Sequence, residues 1–363
     1  MIYLDHAANT PPEPAVLDVL CRTERAFPGN PNAAHPAGQA ARAELARVTD
    51  GIAELLGVRP EEIVYTAGAT ASNRLAVESL VRADRPRHII TTPLEHPSLD
   101  RALAALGQAG HTVELVDVGR DGRVDLDHLR ALLREDTALV AVCAVDGELG
   151  TVQPIRAIAE ILRDRPRCRL HVDATQAVGR TELTLDGVDT MSIAPHKCGG
   201  INGSGLLVRR RGLFSVPLLQ DGGTPALGLA AASEAALRLA LTQRAERTAH
   251  VRALNGRLRA ALARYPAVRL NSPEDAVPHI LNVSVLGVKG TVFQRALAAH
   301  DVCVSVKSAC ATDGGPSRAV QAVVRDRRAA LSSWRISLSH RTTAEEIAGF
   351  LARFDLCYKE LVR

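Results

Sequence analysis

The sequence predicts an α/β protein with a large domain built on a mostly parallel sheet and a smaller α+β domain. Short apolar strands alternate with helical stretches from about residue 14 to residue 240, a pattern typical of βαβ units. After a long helical stretch at 226–263, the pattern changes to short strands that alternate with two helices. The length of 363 residues accommodates two domains. We place the large domain at residues 14–245 and the small domain at residues 1–13 and 246–363.

The elements of the large domain follow from local patterns. Helices are predicted at 13–26, 38–56, 71–81 and 98–109, and Gly57 ends the second of them. Apolar strands are predicted in seven segments: EIVYTAG, HIITTP, TVELVDV, ALVAVCAV, RLHVDAT, TMSIAP and GSGLLVRR. The last segment follows its predecessor so closely that we expect this strand to run antiparallel.

The small domain is predicted from four further strand segments: AVRLNS, HILNVSVLG, VCVSV and WRISLS. Its last helix begins in the segment TTAEEI, where Thr342 or Thr343 can cap the first turn. The glutamates that follow favour the positive end of the helix dipole.

The charge distribution argues against nucleic acid as a partner. The net charge is +4, and the basic residues are spread along the chain. The densest run, VRRRG at 208–212, follows a strand and is interpreted as a solvated turn. No apolar run reaches the roughly 20 residues that cross a bilayer, and the segment MIYLDHAANT lacks the features of a signal peptide. We therefore expect a cytoplasmic protein without a membrane partner.

The cysteines and lysines limit the available chemistry. The seven cysteines are odd in number and form no CxxC pair, so we expect no disulfide framework and no metal site. Each is by default a buried free thiol. The chain has only four lysines: Lys197, Lys289, Lys307 and Lys359. Because arginine does not form a Schiff base at neutral pH, imine chemistry is restricted to these four positions.

Four segments place polar residues directly after apolar strands, where ligand sites of parallel sheets converge. In TAGATASN, Gly68, Ala69 and Thr70 precede a helix and offer a phosphate site, although such a turn is often only a turn. The other three segments are HVDATQAVG with Asp173, MSIAPHKCGG with Lys197, and TTPLEHPS with His96.

A lysine at one strand end and an aspartate one strand away match the architecture of a pyridoxal phosphate (PLP) site. The lysine forms a Schiff base with PLP, and the carboxylate keeps the pyridine nitrogen protonated. Asp173, which emerges from an apolar strand, should have a cationic partner because an isolated buried charge is costly. His96 alone would be read as a structural histidine. Together, the four features predict a PLP site.

The sequence also resembles a known family over essentially its whole length. The segments that show the resemblance, in the order in which the family has them, are YLDHAANTPP, GNPNAAHPAG, EIVYTAGATASNRLA, LEHPSL, GELGTVQPI, HVDATQAVG, HK, SVKSACAT and WRISLSHRTT. They are similar to the cysteine desulfurases of the class V aminotransferase group. The resemblance implies PLP-dependent fold type I with a mostly parallel seven-stranded sheet. It also implies a homodimer that acts on L-cysteine or a related amino acid and passes sulfur to an acceptor protein.

The resemblance implies roles for individual residues. Lys197 would form the Schiff base, Asp173 would pair with the pyridine nitrogen, and Gln176 would meet the phenolic oxygen of the ring. His96 would stack on the ring and relay protons. Ala69, Thr70 and His196 would bind the phosphate, and Ser192 is a further cofactor-binding candidate near the position where the family has a phosphate-binding serine.

The remaining implied roles concern the substrate. Arg335 would bind the substrate carboxylate with a bidentate geometry that lysine cannot copy. Cys310, in VSVKSACATDGG, would be the nucleophile that takes sulfur as a persulfide. Lys307 stands where the family has glycine, and we hypothesise that its ammonium lowers the pKa of Cys310. The alternative is that Lys307 points to solvent.

The sequence departs from the family pattern around the cofactor. Gly147 replaces an asparagine that orients ring and substrate, and Ala194 replaces a phosphate-binding serine. The segment at 220–232 lacks the glutamate, the arginine and the distal threonine of the family pattern. Each hydrogen bond lost from a charged phosphate would cost roughly 1.5–3 kcal/mol. Two alternatives to a desulfurase therefore stay open: a PLP-dependent C–S lyase or transferase on another amino acid, and a degenerate non-catalytic homologue.

Overall fold

The computed structural model describes residues 1–81, 85–210, 226–307 and 315–362. The strands of these residues are β1 (Ile2–Tyr3), β2 (Ile63–Thr66), β3 (His88–Thr91), β4 (Thr112–Leu115), β5 (Thr137–Cys143), β6 (Arg169–Asp173), β7 (Thr190–Ile193), β8 (Gly205–Arg209), β9 (Val268–Leu270), β10 (Ile280–Val285), β11 (Val302–Cys303) and β12 (Ser333–Ser337). The helices are α1 (Pro14–Ala26), α2 (Pro36–Leu56), α3 (Ala69–Leu80), α4 (Pro97–Gln108), α5 (Leu126–Leu132), α6 (Ile155–Leu162), α7 (Leu227–Thr242), α8 (Arg244–Leu262), α9 (Gly290–Ala299), α10 (Arg318–Val324), α11 (Arg327–Leu331) and α12 (Ala344–Leu361).

The large sheet has the strand order β2-β8-β7-β6-β5-β3-β4, which confirms the predicted seven-stranded sheet. β8 is antiparallel to both of its neighbours, as its short connection predicted, and the other pairs are parallel. β2 is antiparallel to β8 and therefore points in the same direction as β7. The carboxyl ends of β2, β3, β5, β6 and β7 consequently meet at one edge of the sheet.

Helices cover both faces of this sheet. One apolar cluster, which includes Val77, Ile89 and Leu99, joins α3 and α4 to the sheet. A larger cluster on α2, α6 and α7 packs against the sheet. Because both faces of the sheet are buried, the sequence of a central strand such as β5 is an almost continuous apolar run.

The ends of α2 are set by backbone chemistry. Gly57 has φ of +68°, a left-handed conformation that favours glycine and that ends the helix as predicted. The predicted start at Gly38 is two residues late. Proline is well suited to the first turn of a helix, and His35 Nδ1 accepts a hydrogen bond from the Gly38 amide at 3.2 Å.

The helical stretch predicted at 226–263 is two helices, α7 and α8. Gln243 separates them with φ of −97° and ψ of 8°, which interrupts the regular helical backbone. The α7 side of this break is buried against α1 and α2, whereas α8 contributes Val251, Leu254 and Leu258 to a second core.

That second core belongs to the C-terminal part of the chain, where β12, β10 and β9 form an antiparallel sheet and β1 pairs in parallel with β11. Its stacked rings include Phe293 and Trp334, whose centroids lie 5.3 Å apart. Thr343 forms the predicted capping box with Glu346 at the start of α12. The prediction of two helices between these strands was wrong, because the short helices α10 and α11 both follow α9 before β12. The domain boundaries stay a prediction.

No helix within the described ranges is long and apolar enough to span a membrane.

Candidate active site

A cavity of about 760 Å³ opens at the sheet edge where β2, β3, β5, β6 and β7 end. The polar segments that follow these strands converge there, as expected for a parallel sheet. Most of the predicted site residues line this cavity: Ala69, Thr70, His96, Asp173, Gln176, His196, Lys197 and Arg335.

Lys197 lies in the 3₁₀ turn Pro195–Lys197, which follows β7. Its Nζ donates hydrogen bonds to the carbonyl oxygens of Ala7 at 2.9 Å and Ala8 at 2.5 Å. The N-terminal segment therefore forms one wall of the lysine site. Sequence reasoning missed this contact, because a backbone carbonyl has no signature in side-chain identity.

Asp173, at the end of β6, is only 5% exposed. Its Oδ2 accepts a hydrogen bond from Asn73 Nδ2 at 2.8 Å, and its Oδ1 accepts one from the Thr175 amide at 2.9 Å. Both donors are neutral, and within the described ranges Asp173 forms no ion pair with a protein side chain. The predicted cationic partner is thus not found among these residues. A protonated pyridine nitrogen in the cavity fits this buried carboxylate.

His96 is connected to Asp173 through a chain of hydrogen bonds. Its Nδ1 accepts from the Ser98 amide at 3.1 Å and lies 2.8 Å from Ser98 Oγ, which in turn accepts from Asn73 Nδ2 at 3.0 Å. Burial lowers the pKa of His96, so the ring is neutral at pH 7. Because Nδ1 is an acceptor, this network assigns the ring proton to Nε2.

The first turn of α3 fits an anionic group. Gly68, Ala69, Thr70 and Ala71 line the cavity, and no side chain caps this helix. The first amides of a helix lack partners within it and carry the positive end of the dipole, so they bind phosphate well. Gly68 has φ of +148°, a conformation that favours glycine, and this sharp turn aims the helix start at the cavity.

Gln176 is held in one orientation by two contacts. Its Nε2 donates to the Ala7 carbonyl at 2.9 Å, and its Oε1 accepts from Arg180 Nη1. Arg180 is deeply buried, and burial lowers its pKa to about 10, so it still carries its charge at pH 7. The charged guanidinium therefore holds the amide oxygen of Gln176, and Nε2, which donates one N–H to Ala7, has a second N–H as a donor.

Four residues that line the cavity have a buried polar atom without a hydrogen-bond partner within the described ranges: Glu95 Oε2, Thr175 Oγ1, His196 Nδ1 and Arg335 Nε. Burial and the nearby Lys197 lower the pKa of His196 to about 4, so its ring is neutral at pH 7. Such unpaired atoms are rare in native proteins and are consistent with a polar ligand. Ser192 differs from the other predicted residues, because it is fully buried in β7 and does not line the cavity. Its role in cofactor binding stays a prediction.

Arg335 reaches the cavity from β12. Its Nη1 donates to the Gly147 carbonyl at 2.7 Å, and its Nη2 forms an ion pair with Asp5 Oδ1 at 3.0 Å. The side chain is 3% exposed. An arginine so deeply placed at a cavity wall is suited to bind a carboxylate from a ligand.

The residues that depart from the family pattern also lie at this cavity. A Cβ at Gly147 would meet Gln176 at 3.7 Å, so the glycine leaves space beside that side chain. Asp146 is buried, and its Oδ2 accepts hydrogen bonds from the Glu148 amide at 3.2 Å and from the Leu149 amide. Burial raises the pKa of Asp146 to about 7. Ala194 lines the cavity and offers no hydroxyl. Cys310 and residues 220–225 lie outside the described residues, and their roles stay predictions.

Glu95, next to His96, is a site residue that sequence reasoning missed. It lines the cavity, and its Oε1 accepts from Thr92 Oγ1 at 2.7 Å and from the Cys143 amide at 3.1 Å. Burial raises the pKa of Glu95 to about 8, so it is largely protonated at pH 7. A sequence signal for Glu95 exists, since an acidic residue follows an apolar strand in TTPLEHPS, directly before the histidine of the predicted site.

Glu95→Gln is expected to flatten the pH dependence of stability. In the unfolded chain this carboxyl ionises above about pH 4.5, whereas in the folded protein it keeps its proton up to about pH 8. The folded state thus binds more protons in this window, and the free energy of unfolding falls as pH rises. Glutamine keeps the acceptor oxygen but cannot ionise. Between pH 5 and pH 7, we expect the variant to lose about 2 kcal/mol less unfolding free energy than the wild type.

Urea unfolding at both pH values measures this difference. The exposed Glu54→Gln is the matched control and should follow the wild type. An unchanged pH dependence in Glu95→Gln would show that the Glu95 carboxyl ionises normally in the folded protein.

Comparisons with known proteins agree with this geometry. The family model Aminotransferase class-V matches residues 2–218 and 215–350. A NifS/IcsS protein homolog from Lactobacillus delbrueckii subsp. bulgaricus is 34% identical and covers 99% of this chain and 97% of its own length. Cysteine desulfurase IscS from Methylococcus capsulatus is 34% identical over 95% of this chain and 89% of its own length. A solved NifS-like protein superposes with a TM-score of 0.93 at 30% identity, over 99% of this chain and all of that one.

The fold and the site together define a class V aminotransferase of PLP fold type I, a group whose cofactor is PLP. Within this group, the chain belongs to the cysteine desulfurase family. The predicted fold class is thereby confirmed.

Proposed function

We propose that this protein is a PLP-dependent cysteine desulfurase that converts L-cysteine to L-alanine and carries the sulfur as a persulfide on Cys310. The observation that supports it most is one cavity that unites an amine, a buried carboxylate without a protein cation among the described residues, and a buried arginine: Lys197, Asp173 and Arg335. Relatives named cysteine desulfurase support the choice of L-cysteine as substrate.

The residues of the cavity would hold PLP at four points. Lys197 Nζ would bind it covalently, the Asp173 carboxylate would hold a proton on the pyridine nitrogen, and the first amides of α3 would bind the phosphate. Gln176, oriented by Arg180, would donate from Nε2 to the ring oxygen. When bound, PLP supplies an electron sink that stabilises negative charge on the α-carbon of an amino acid.

The other residues act on the amino acid and on protons. Arg335 binds the substrate carboxylate and thereby orients the α-carbon. Lys197 Nζ would move the α-proton, and His96 would donate a proton from Nε2. Neutral Glu95 and His96 keep the wall beside Asp173 free of further charge at pH 7.

Sulfur leaves the substrate by attack of the Cys310 thiolate on the cysteine sulfur. The Cβ–S bond breaks, an S–S bond forms at Cys310, and Cβ takes a proton. L-Cysteine and one thiol thus give L-alanine and one persulfide, so no outside oxidant or reductant is consumed. The thiolate form is required because the thiol is a poor nucleophile.

The proposal extends to the cellular setting. A sulfur-acceptor protein would collect the persulfide sulfur, and the functional unit would be a homodimer in the cytoplasm. The family resemblance supports these three statements. We propose no nucleic-acid partner, since the charge of +4 is spread over the chain.

Cys310→Ala tests the desulfurase directly. The PLP-loaded wild type, supplied with L-cysteine and dithiothreitol, should release sulfide and L-alanine in equal amounts. We expect Cys310→Ala to release both at least about 100-fold more slowly, because burial raises the pKa of Cys143, the other cysteine that lines the cavity among the described residues, well above its ordinary value and disfavours its thiolate. The visible absorption of PLP should stay unchanged.

Cys21→Ala is the matched control, since Cys21 is exposed and remote from the cavity, and it should keep wild-type activity. Full alanine release in Cys310→Ala would reject the persulfide route. Pyruvate or another keto acid as the product would identify a C–S lyase or transferase instead, and the absence of any product would support a non-catalytic homologue.

A further inference from the structure

The N-terminal segment that follows β1 is held firmly along β12. The Ser337 amide donates to the Leu4 carbonyl at 2.8 Å, and the Ala7 amide donates to Ser337 Oγ at 2.9 Å. Between these bonds, Asp5 forms a parallel bridge with Ser337. The backbone of Asp5 is therefore fixed relative to the strand that carries Arg335.

Both carboxylate oxygens of Asp5 are engaged. Oδ1 pairs with Arg335 Nη2 at 3.0 Å, and Oδ2 accepts from Ser305 Oγ at 2.8 Å. Ser305 and Arg335 also exchange two backbone hydrogen bonds, of 3.2 Å and 2.6 Å. Ser305 thus holds the carboxylate in one rotation, and the carboxylate holds one nitrogen of the guanidinium.

The guanidinium keeps donors for a ligand. Arginine has five N–H bonds. Gly147 and Asp5 accept one each, and within the described ranges Nε has no partner although it is buried. Arg335 lines the cavity that Lys197 also lines. Arg335 thus has donors that Gly147 and Asp5 do not use, at the wall of a cavity where a carboxylate can be bound.

Two effects of Asp5 oppose each other. Its negative charge weakens the attraction of Arg335 for a second carboxylate. Against this, a long side chain loses conformational freedom when it binds, and a partner that restricts it beforehand removes that cost. A buried guanidinium without a partner would also be costly to keep in place. Because the Asp5 backbone is fixed and both of its carboxylate oxygens are engaged, we expect the restriction of Arg335 to outweigh the weakening of its attraction for a second carboxylate.

We propose that Asp5 is a positioning residue that presents Arg335 to the carboxylate of the amino-acid substrate. This role rests on the proposed function, and it concerns recognition of the carboxylate rather than the amine.

The test compares two ligands that differ only in the carboxylate. L-Alanine and ethylamine both carry the amine. Neither has a thiol, so neither can transfer sulfur to Cys310 during the titration. Each is titrated into the PLP-loaded protein by calorimetry and by the visible absorption of PLP. For Asp5→Asn, we expect the dissociation constant of L-alanine to rise at least about tenfold, while that of ethylamine changes by less than about twofold. Arg335→Ala measures the complete loss of carboxylate recognition.

A second variant and a stability measurement keep the test decisive. Ser305→Ala leaves the Asp5–Arg335 pair intact but frees the carboxylate to rotate, and we expect a rise of about threefold for L-alanine alone. Thermal unfolding of each variant identifies a folding defect. If Asp5→Asn has such a defect, the ligand titrations of Ser305→Ala test the proposal instead. Equal weakening of both ligands, or unchanged L-alanine binding, would overturn the positioning role. A wild type that binds neither ligand and forms no alanine would overturn the proposed function itself.

Discussion

Lys197→Ala is expected to abolish desulfurase activity and the visible absorption of bound PLP. Lys197 is the one lysine that lines the cavity within the described ranges. Lys289, Lys307 and Lys359 are not among the lining residues. An alanine methyl group can neither attach the cofactor nor carry a proton. We expect the rate of alanine formation to fall by at least about 10³-fold, the scale on which loss of a covalent nucleophile acts.

Lys197→Arg separates covalent chemistry from charge. Arginine keeps a positive charge near the carbonyls of Ala7 and Ala8, but it does not form a Schiff base at neutral pH. This variant should therefore be as inactive as Lys197→Ala. The exposed Lys289→Ala should match the wild type in both absorption and activity. Retention of the visible band in Lys197→Ala would show that a different amine binds PLP.

Local patterns were sufficient to predict much of the fold. Gly57 at the end of α2 and Thr343 at the start of α12 act within one helical turn, so their signals are visible in neighbouring residues. The direction of β8 followed from its short connection to β7. The beginning of α2 was missed because it depends on His35 as an acceptor, a capping role outside the usual set of serine, threonine, aspartate and asparagine.

The site was predicted in its components but not in its connections. Strand ends identified Asp173, Lys197 and His96, because polar residues after apolar strands converge at one sheet edge. The network that joins them spans long sequence separations, such as the 100 residues between Asn73 and Asp173 or the 330 between Asp5 and Arg335. Pairings over such distances have no local periodicity, so only the structure revealed them.

Asp173→Asn is the other substitution for which we expect a large effect. Asparagine preserves the shape of the side chain but removes the negative charge that would hold a proton on the pyridine nitrogen. It also replaces one acceptor oxygen by a donor, which must then face either the Thr175 amide or Asn73 Nδ2. Rotation of the Asn73 amide offers no simple remedy, because Asn73 Oδ1 lies 3.1 Å from His171 Nε2.

We expect kcat of Asp173→Asn to fall by about 10²–10³-fold, the scale on which loss of one preorganised group acts at an active site. Because Lys197 is intact, the variant should still bind PLP, and the dissociation constant for L-alanine should change much less than kcat. The exposed Asp186→Asn is the matched control and should behave as the wild type. A kcat within about threefold of the wild type would show that the charge of Asp173 is not needed. Thermal unfolding of the PLP-loaded variant separates that electrostatic loss from a defect in folding, since only a folding defect would lower the midpoint and the PLP content together.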